Sequence, residues 1–156
     1  MRKKIIIAAL QVFLCYVPLN ACTCIGERSI TYDFNTSSKV FCGQIISKKL
    51  IVYNVDSTFS IRKNEFKVKI LIKYKGRFRK KYLKILTGLG GGDCGYDFIL
   101  NKKYIIYAQI ENNYCSLCNK VAKYLSTDAC TRTREFIESE NAELKKLRKA
   151  KSSKWF

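Results

Sequence analysis

Cysteines carry most of the chemistry open to this chain. Beyond Cys15 in an apolar leader there are seven: Cys22, Cys24, Cys42, Cys94, Cys115, Cys118 and Cys130. The sequence has no histidine, so the commonest general base and metal ligand is missing. In an oxidising compartment such cysteines are first of all disulfide material. Seven is an odd number, so one must be free, intermolecular or modified. Cys22 and Cys24 flank Thr23. On an extended segment, positions i and i+2 flanking a central residue leave two sulfurs that can each be tied to a different element. Cys94 sits among glycines, in Gly90-Gly91-Gly92-Asp93-Cys94-Gly95, where tight or left-handed backbone is open to the chain. Spacing alone does not fix the connectivity.

Cys115-Ser116-Leu117-Cys118 is a CxxC. It fits a redox pair, half of a metal site, or a loop disulfide, with Cys42 as another partner. A thioredoxin-type centre needs its first cysteine at a helix N-terminus after a strand. No such pattern surrounds Cys115, and no second CxxC completes a zinc site. The local Cys115–Cys118 disulfide or a bond to Cys42 is therefore the expectation. Thiol-disulfide oxidoreductase activity is the alternative. Leu89-Gly90-Gly91-Gly92 lacks the Gly-Lys-Ser/Thr of a phosphate loop and forms a turn. Tyr104, Tyr107, Phe66 and Phe98 are candidates for stacking on nucleic-acid bases, but their alternating positions favour a core.

The new N-terminus decides where these cysteines work. Arg2, Lys3 and Lys4 precede an apolar run from Ile5 to Val17, closed by Pro18. This is the layout of a signal peptide over residues 1–21, and the run is too short for the ~20 residues of a membrane-spanning helix. Leu19-Asn20-Ala21-Cys22 resembles a bacterial lipobox, which would place lipid on Cys22 and leave six cysteines. Ala21 also suits the general signal peptidase, which Leu19 suits poorly. Either cut makes Cys22 the first residue. The expected location is outside the cytoplasm, as a secreted protein or a cell-envelope, outer-surface lipoprotein held to the membrane only through its lipid.

The 156 residues less 21 leave 135, one domain of common size (residues 22–150) with a basic tail (151–156). Losing three of the leader's positive charges takes the net charge from +18 to +15. Such a charge favours anionic surfaces. It is spread through pairs such as Lys48-Lys49, Lys80-Lys81 and Lys145-Lys146, as on a solvated basic surface. Export argues against a nucleic-acid partner. A monomer without a cofactor is expected.

Short strands must position the cysteines. Val40–Ile46 is apolar and β-prone, and Lys49–Val55 continues it after a bend. Glu65–Tyr74 alternates charge with Phe66, Val68 and Ile70, the period of a half-buried strand. Tyr82–Thr87 is a further strand. Tyr96–Leu100 and Tyr104–Ile110 flank a hairpin loop at Asn101-Lys102-Lys103, and Asn112-Asn113 marks another turn. Lys120–Leu125 is the last strand. Thr133 then caps a helix, acidic at Glu135, Glu138 and Glu140 and basic at Lys145, Lys146, Arg148 and Lys149, in the order that suits its dipole. Phe136, Ile137, Leu144 and Leu147 are its apolar stripe. The fold class is mainly β: an OB-fold-like Greek-key barrel of five to six strands with a C-terminal α-helix packed on it.

Several blocks, taken in order, resemble the netrin-like (NTR) domain. They are Cys22-Thr23-Cys24, Val40-Phe41-x-Gly43-x-Ile45, Phe66-x-Val68 with Tyr74-Lys75-Gly76, Ile85-x-Thr87-Gly88, Asp93-Cys94-Gly95, Tyr104–Ala108 and Cys130-Thr131-Arg132-Thr133. They are most similar to the branch holding tissue inhibitors of metalloproteinases (TIMP-like) and their single-domain bacterial relatives. The resemblance covers Cys22 to about Leu147. It implies an OB-like barrel and the disulfides Cys22–Cys94 and Cys24–Cys130. It also implies that the Cys22 amine and carbonyl chelate the zinc of a metalloprotease while Thr23 enters its specificity pocket. The chain departs from the inhibitors in lacking their C-terminal cysteine-rich domain, a counterpart of their third N-domain disulfide and their proline-containing ridge. Lipid on Cys22 would cancel both the chelation and the Cys22–Cys94 bond. The expected function is that of a binding domain rather than an enzyme. It inhibits a zinc metalloprotease through Cys22 and Thr23, or, lipidated at Cys22, binds another extracellular protein or a polyanion.

Overall fold

The computed structural model describes Cys22, Cys24, Gly26 and residues 28–54, 60–115 and 120–152. The leader, Thr23 and Cys118 lie outside these residues. A short helix, α1 (Ile30–Thr36), precedes five long strands: β1 (Lys39–Asn54), β2 (Ser60–Lys75), β3 (Tyr82–Thr87), β4 (Lys103–Cys115) and β5 (Lys120–Ser126). A two-residue strand β6 (Arg134–Glu135) and helix α2 (Glu138–Ser152) complete the chain.

The strand order is β1-β2-β3-β5-β4-β6, and β1 also pairs with β4. The first five strands therefore close into a ring, the OB-like barrel that the patterning predicts. β1 does double duty. Residues 39–44 pair with β4, while the whole strand pairs with β2 out to Asn54–Ser60. Three register shifts along β1 let it bend from the barrel wall into a two-stranded arm.

Alternation fills the barrel. Phe41, Ile45, Phe66, Val68, Ile85, Tyr104, Ile106 and Leu125 meet inside it. A second core lies between the barrel wall and the helices, where Val40, Cys42, Ile105 and Tyr107 pack with Phe34 of α1 and Leu144 of α2. The aromatics Phe66, Phe98, Tyr104 and Tyr107 are all buried, so they are core rather than a stacking platform.

The structure corrects the sequence reading at several points. Tyr96–Leu100 is irregular rather than a strand. Its amides go to side-chain hydroxyls, Tyr96 N to Thr87 Oγ1 at 2.7 Å and Ile99 N to Tyr104 Oη at 3.1 Å, while the rings of Tyr96 and Phe98 pack on the barrel core. Asn112 and Asn113 are not a turn; they lie within β4, opposite Lys123 and Ala122. The last helix starts at Glu138, not after Thr133. Arg134 and Glu135 are held extended by pairing with Ile105 and Tyr104. Thr133 spends its hydroxyl on Tyr107 N, at 3.0 Å, rather than on a helix start. At the other end α2 runs through Lys151 and Ser152, which the tail had included. Helix α1 has no counterpart in the sequence reading. Its signal is Ser29, whose side chain accepts the Tyr32 amide at 3.1 Å as an N-cap.

Candidate functional site: the N-terminal cysteine ridge

Two disulfides hold the start of the domain: Cys22–Cys94 and Cys24–Cys130. They are the pairs that the netrin-like resemblance implies. They lie side by side, with the Cys22 and Cys130 sulfurs 3.9 Å apart. The sulfurs of Cys22, Cys24 and Cys130 all fall within 4.8 Å of one another. That is a metal-site spacing, but metal ligation needs thiolates and all three sulfurs are held in disulfides, Cys22 with Cys94 and Cys24 with Cys130.

Each anchoring cysteine is set by its own loop. On the Cys94 side, the Asp93 carboxylate accepts the amides of Leu89 at 2.6 Å, Gly90 at 2.8 Å and Gly95 at 3.1 Å. These bonds hold its pKa below the ordinary carboxylate value, against a smaller opposing effect of burial. A depressed carboxylate stabilises the loop above its unfolded pKa of ~3.9 and loses that contribution as pH falls through the lower folded value. The protection of the Leu89, Gly90 and Gly95 amides, taken as exchange relative to the intrinsic rate at each pH, should therefore fall in that acid window and stay constant above pH 5. A flat profile throughout would show that the carboxylate does not hold the loop.

Gly88 and Gly95 are fixed by close packing. A Cβ on Gly88 would lie 2.5 Å from the Asp93 carboxylate, and one on Gly95 would collide with the Gly88 backbone. Gly95→Ala should cost about 1–3 kcal/mol, as overpacking does, read from the urea midpoint of the oxidised protein. Unchanged stability would mean that the loop can open without consequence.

On the Cys130 side, Asp128 Oδ1 accepts the amides of Cys130 at 2.8 Å and Thr131 at 2.9 Å. The Thr127 hydroxyl donates to Tyr107 O at 3.0 Å and lies 2.9 Å and 2.7 Å from those of Thr131 and Thr133. Ala129 N donates to Cys94 O at 2.8 Å, joining the two loops. A buried carboxylate ties this block to α1. Asp33 Oδ2 accepts the Arg132 amide at 2.8 Å, and Oδ1 faces the Arg28 guanidinium at 3.5 Å. Arg132 Nη1 donates in turn to Arg28 O at 2.7 Å. Beneath it, Tyr107 donates to the buried Glu140 at 2.7 Å. Burial and that carboxylate push the Tyr107 phenol far above its ordinary range. A cavity of about 260 Å³ lies beside the Cys24–Cys130 bond, with Arg28, Arg132 and Arg134 in its wall.

The sequence reading missed this support, naming neither Asp33 nor Arg28 and giving Glu140 only as an acid of the helix start. The partners are far apart in sequence, and only the capping pattern of α1 hinted that Asp33 sits on a helix. Thr23 lies outside the described residues. So does Cys118, and β4 fixes only the backbone of Cys115. Cys42 corrects one alternative: it is a buried free thiol rather than the partner of Cys115 or Cys118. Burial pushes it up to about 11, and the thiolate is the reactive form. Native protein at pH 8 should therefore leave Cys42 unmodified by iodoacetamide, whereas urea-unfolded protein takes up the label there. Rapid labelling of the native state would contradict the burial.

No family model and no curated protein matches this chain. Among the described residues no helix is long and apolar enough to cross a membrane, and the disulfides fit an oxidising, extracellular setting.

Proposed function

We propose that the chain is exported, cut before Cys22, and acts as a netrin-like binding module that inhibits a zinc metalloprotease through its N-terminus. The observation that carries this reading is the bond from Cys22 to Cys94 beside that from Cys24 to Cys130. Together they pin both ends of the Cys-Thr-Cys start to a closed barrel. A sulfur bonded to Cys94 cannot also carry a thioether lipid, so this bond favours the unlipidated form.

In that form the chemistry is direct. The Cys22 amine and carbonyl oxygen form a five-membered chelate on the target's zinc and displace its bound water, removing the nucleophile on which hydrolysis depends. Thr23 enters the pocket next to the metal and contributes to the choice of target. The binding module brings no catalytic group of its own.

Mass spectrometry of the intact protein and its N-terminal peptide, taken from the native host, tests the premise. Titration against a panel of zinc proteases tests the function. A free Cys22 amine, a Cys22–Cys94 link and stoichiometric inhibition are expected. An acylated Cys22 would overturn the chelation and leave a surface-anchored binding domain. A free amine with no inhibition across the panel would overturn the inhibitor reading itself.

A further inference from the structure

The ring of strands is weakly closed at one seam. β3 pairs with β2 along its whole length, and β5 with β4 along its own. Between themselves β3 and β5 run parallel and pair only at Ile85–Leu125 and Leu86–Ser126. One more bond, Thr127 N to Leu86 O at 3.1 Å, extends that contact. Among the described residues, the facing edges of Tyr82–Lys84 and Lys120–Tyr124 carry no ladder. Unpaired strand edges are templates for another strand.

A groove of about 420 Å³ opens at this seam. Its apolar part comes from Leu86, Ile110 and Leu125, of which Ile110 is half exposed. Lys39, Lys84 and Lys123 stand around it with Glu65 as the acid among its lining residues. Lys84 holds Glu65 at 3.0 Å, which leaves the groove with an excess of two positive charges. Apolar floor, basic walls and open backbone edge are the three parts of a peptide-binding slot: side-chain pocket, charge selection and main-chain hydrogen bonding.

We infer that this seam binds an extended acidic segment of a partner protein, added as a strand along the open edge of β5. The occupant should alternate acidic with β-branched apolar residues, so that one face covers the half-exposed Ile110, beside the buried Leu86 and Leu125, while the acids reach the lysines. A second copy of this chain has the wrong sign, because 30 basic residues against 12 acidic ones make the surfaces repel. The site uses no residue of the N-terminal ridge and is independent of protease inhibition.

The test uses the full oxidised chain, 15N-labelled, and the peptide acetyl-Glu-Val-Asp-Val-Glu-amide. A twin peptide with N-methylated alternate amides keeps the charge and side chains but cannot complete a ladder. The first peptide should bind saturably and slow amide exchange in 82–86 and 120–125 at least tenfold. The twin should bind at least tenfold more weakly. So should the first peptide to the Lys123→Glu variant, whose altered side chain is exposed and spares the fold. Equal binding of the two peptides would reduce the seam to a charged surface and overturn strand addition. Tighter binding of sulfated dextran with no protection of those amides would do the same in favour of a polyanion. The absence of saturable binding by the peptide at millimolar concentration would also sink the proposal.

Discussion

One alanine placed ahead of Cys22 should weaken metalloprotease inhibition by at least about a hundredfold while the thermal midpoint stays within a degree. The proposed chelate needs the Cys22 nitrogen as a primary amine at the very start of the chain. An added residue turns that nitrogen into an amide, whose lone pair is delocalised and cannot bind zinc. It also pushes a peptide group into space the metal would occupy. A hundredfold corresponds to about 2.7 kcal/mol, a modest share of what a metal chelate contributes. The fold should not register the change, because among the described residues it is the sulfur of Cys22, bonded to Cys94, that ties it to the barrel. Titration of wild type and variant against the same protease, with differential scanning calorimetry of both, reads the two effects separately. Equal inhibition by the two proteins would rule out chelation by the amine.

Replacing Cys24 and Cys130 together by serine should destabilise the protein by about 4–5 kcal/mol. Their separation of 106 residues sets that figure in the chain-entropy model. Both must be replaced, since serine at Cys24 alone leaves the Cys130 thiol 3.9 Å from the Cys22 sulfur, and serine at Cys130 alone leaves the Cys24 thiol within 4.8 Å of it, close enough to enter exchange. The loss is a large fraction of a typical domain's total of ~5–15 kcal/mol. Urea unfolding should therefore shift strongly, with little change in slope if the unfolded chain stays equally expanded. A midpoint that does not move would mean that the barrel supports itself and the bond serves only to hold the ridge.

The barrel was legible because its signal is local. Phe66, Val68 and Ile70 alternate with charged neighbours, and each inward position is visible one strand at a time. The same property misled at Tyr96–Leu100. There alternating aromatics imitate a strand, while hydroxyls from Thr87 and Tyr104 take amides that a neighbouring strand would need. The start of α2 was misplaced for a related reason. Thr133 followed by acidic residues has the composition of a helix N-terminus, but the edge of β4 competes for Arg134 and Glu135 and wins. At the ridge, the cysteines and the Asp93-Cys94-Gly95 block were visible, and their roles follow from residue type. The Asp33–Arg132 contact bridges 99 positions and leaves no periodic trace. Buried charge partners of this kind are set by tertiary approach, and a lone aspartate on a seven-residue helix gives no warning of them.

The closure of β1 on β4 also sets the order in which this chain can safely mature. The hairpins β1–β2 and β4–β5 join near neighbours, whereas Cys42 meets Ile105 only after a long loop has closed. Nonlocal pairings of that kind form late and slowly. Until they do, Cys42 remains open to exchange with the other cysteines. Once Cys42 is sealed between the barrel wall and the helices, it drops out of the competition. Oxidation that outruns ring closure should therefore trap scrambled isomers containing Cys42. Refolding yield should rise when Cys42 is replaced by alanine or when oxidant is added only after the sheet has formed.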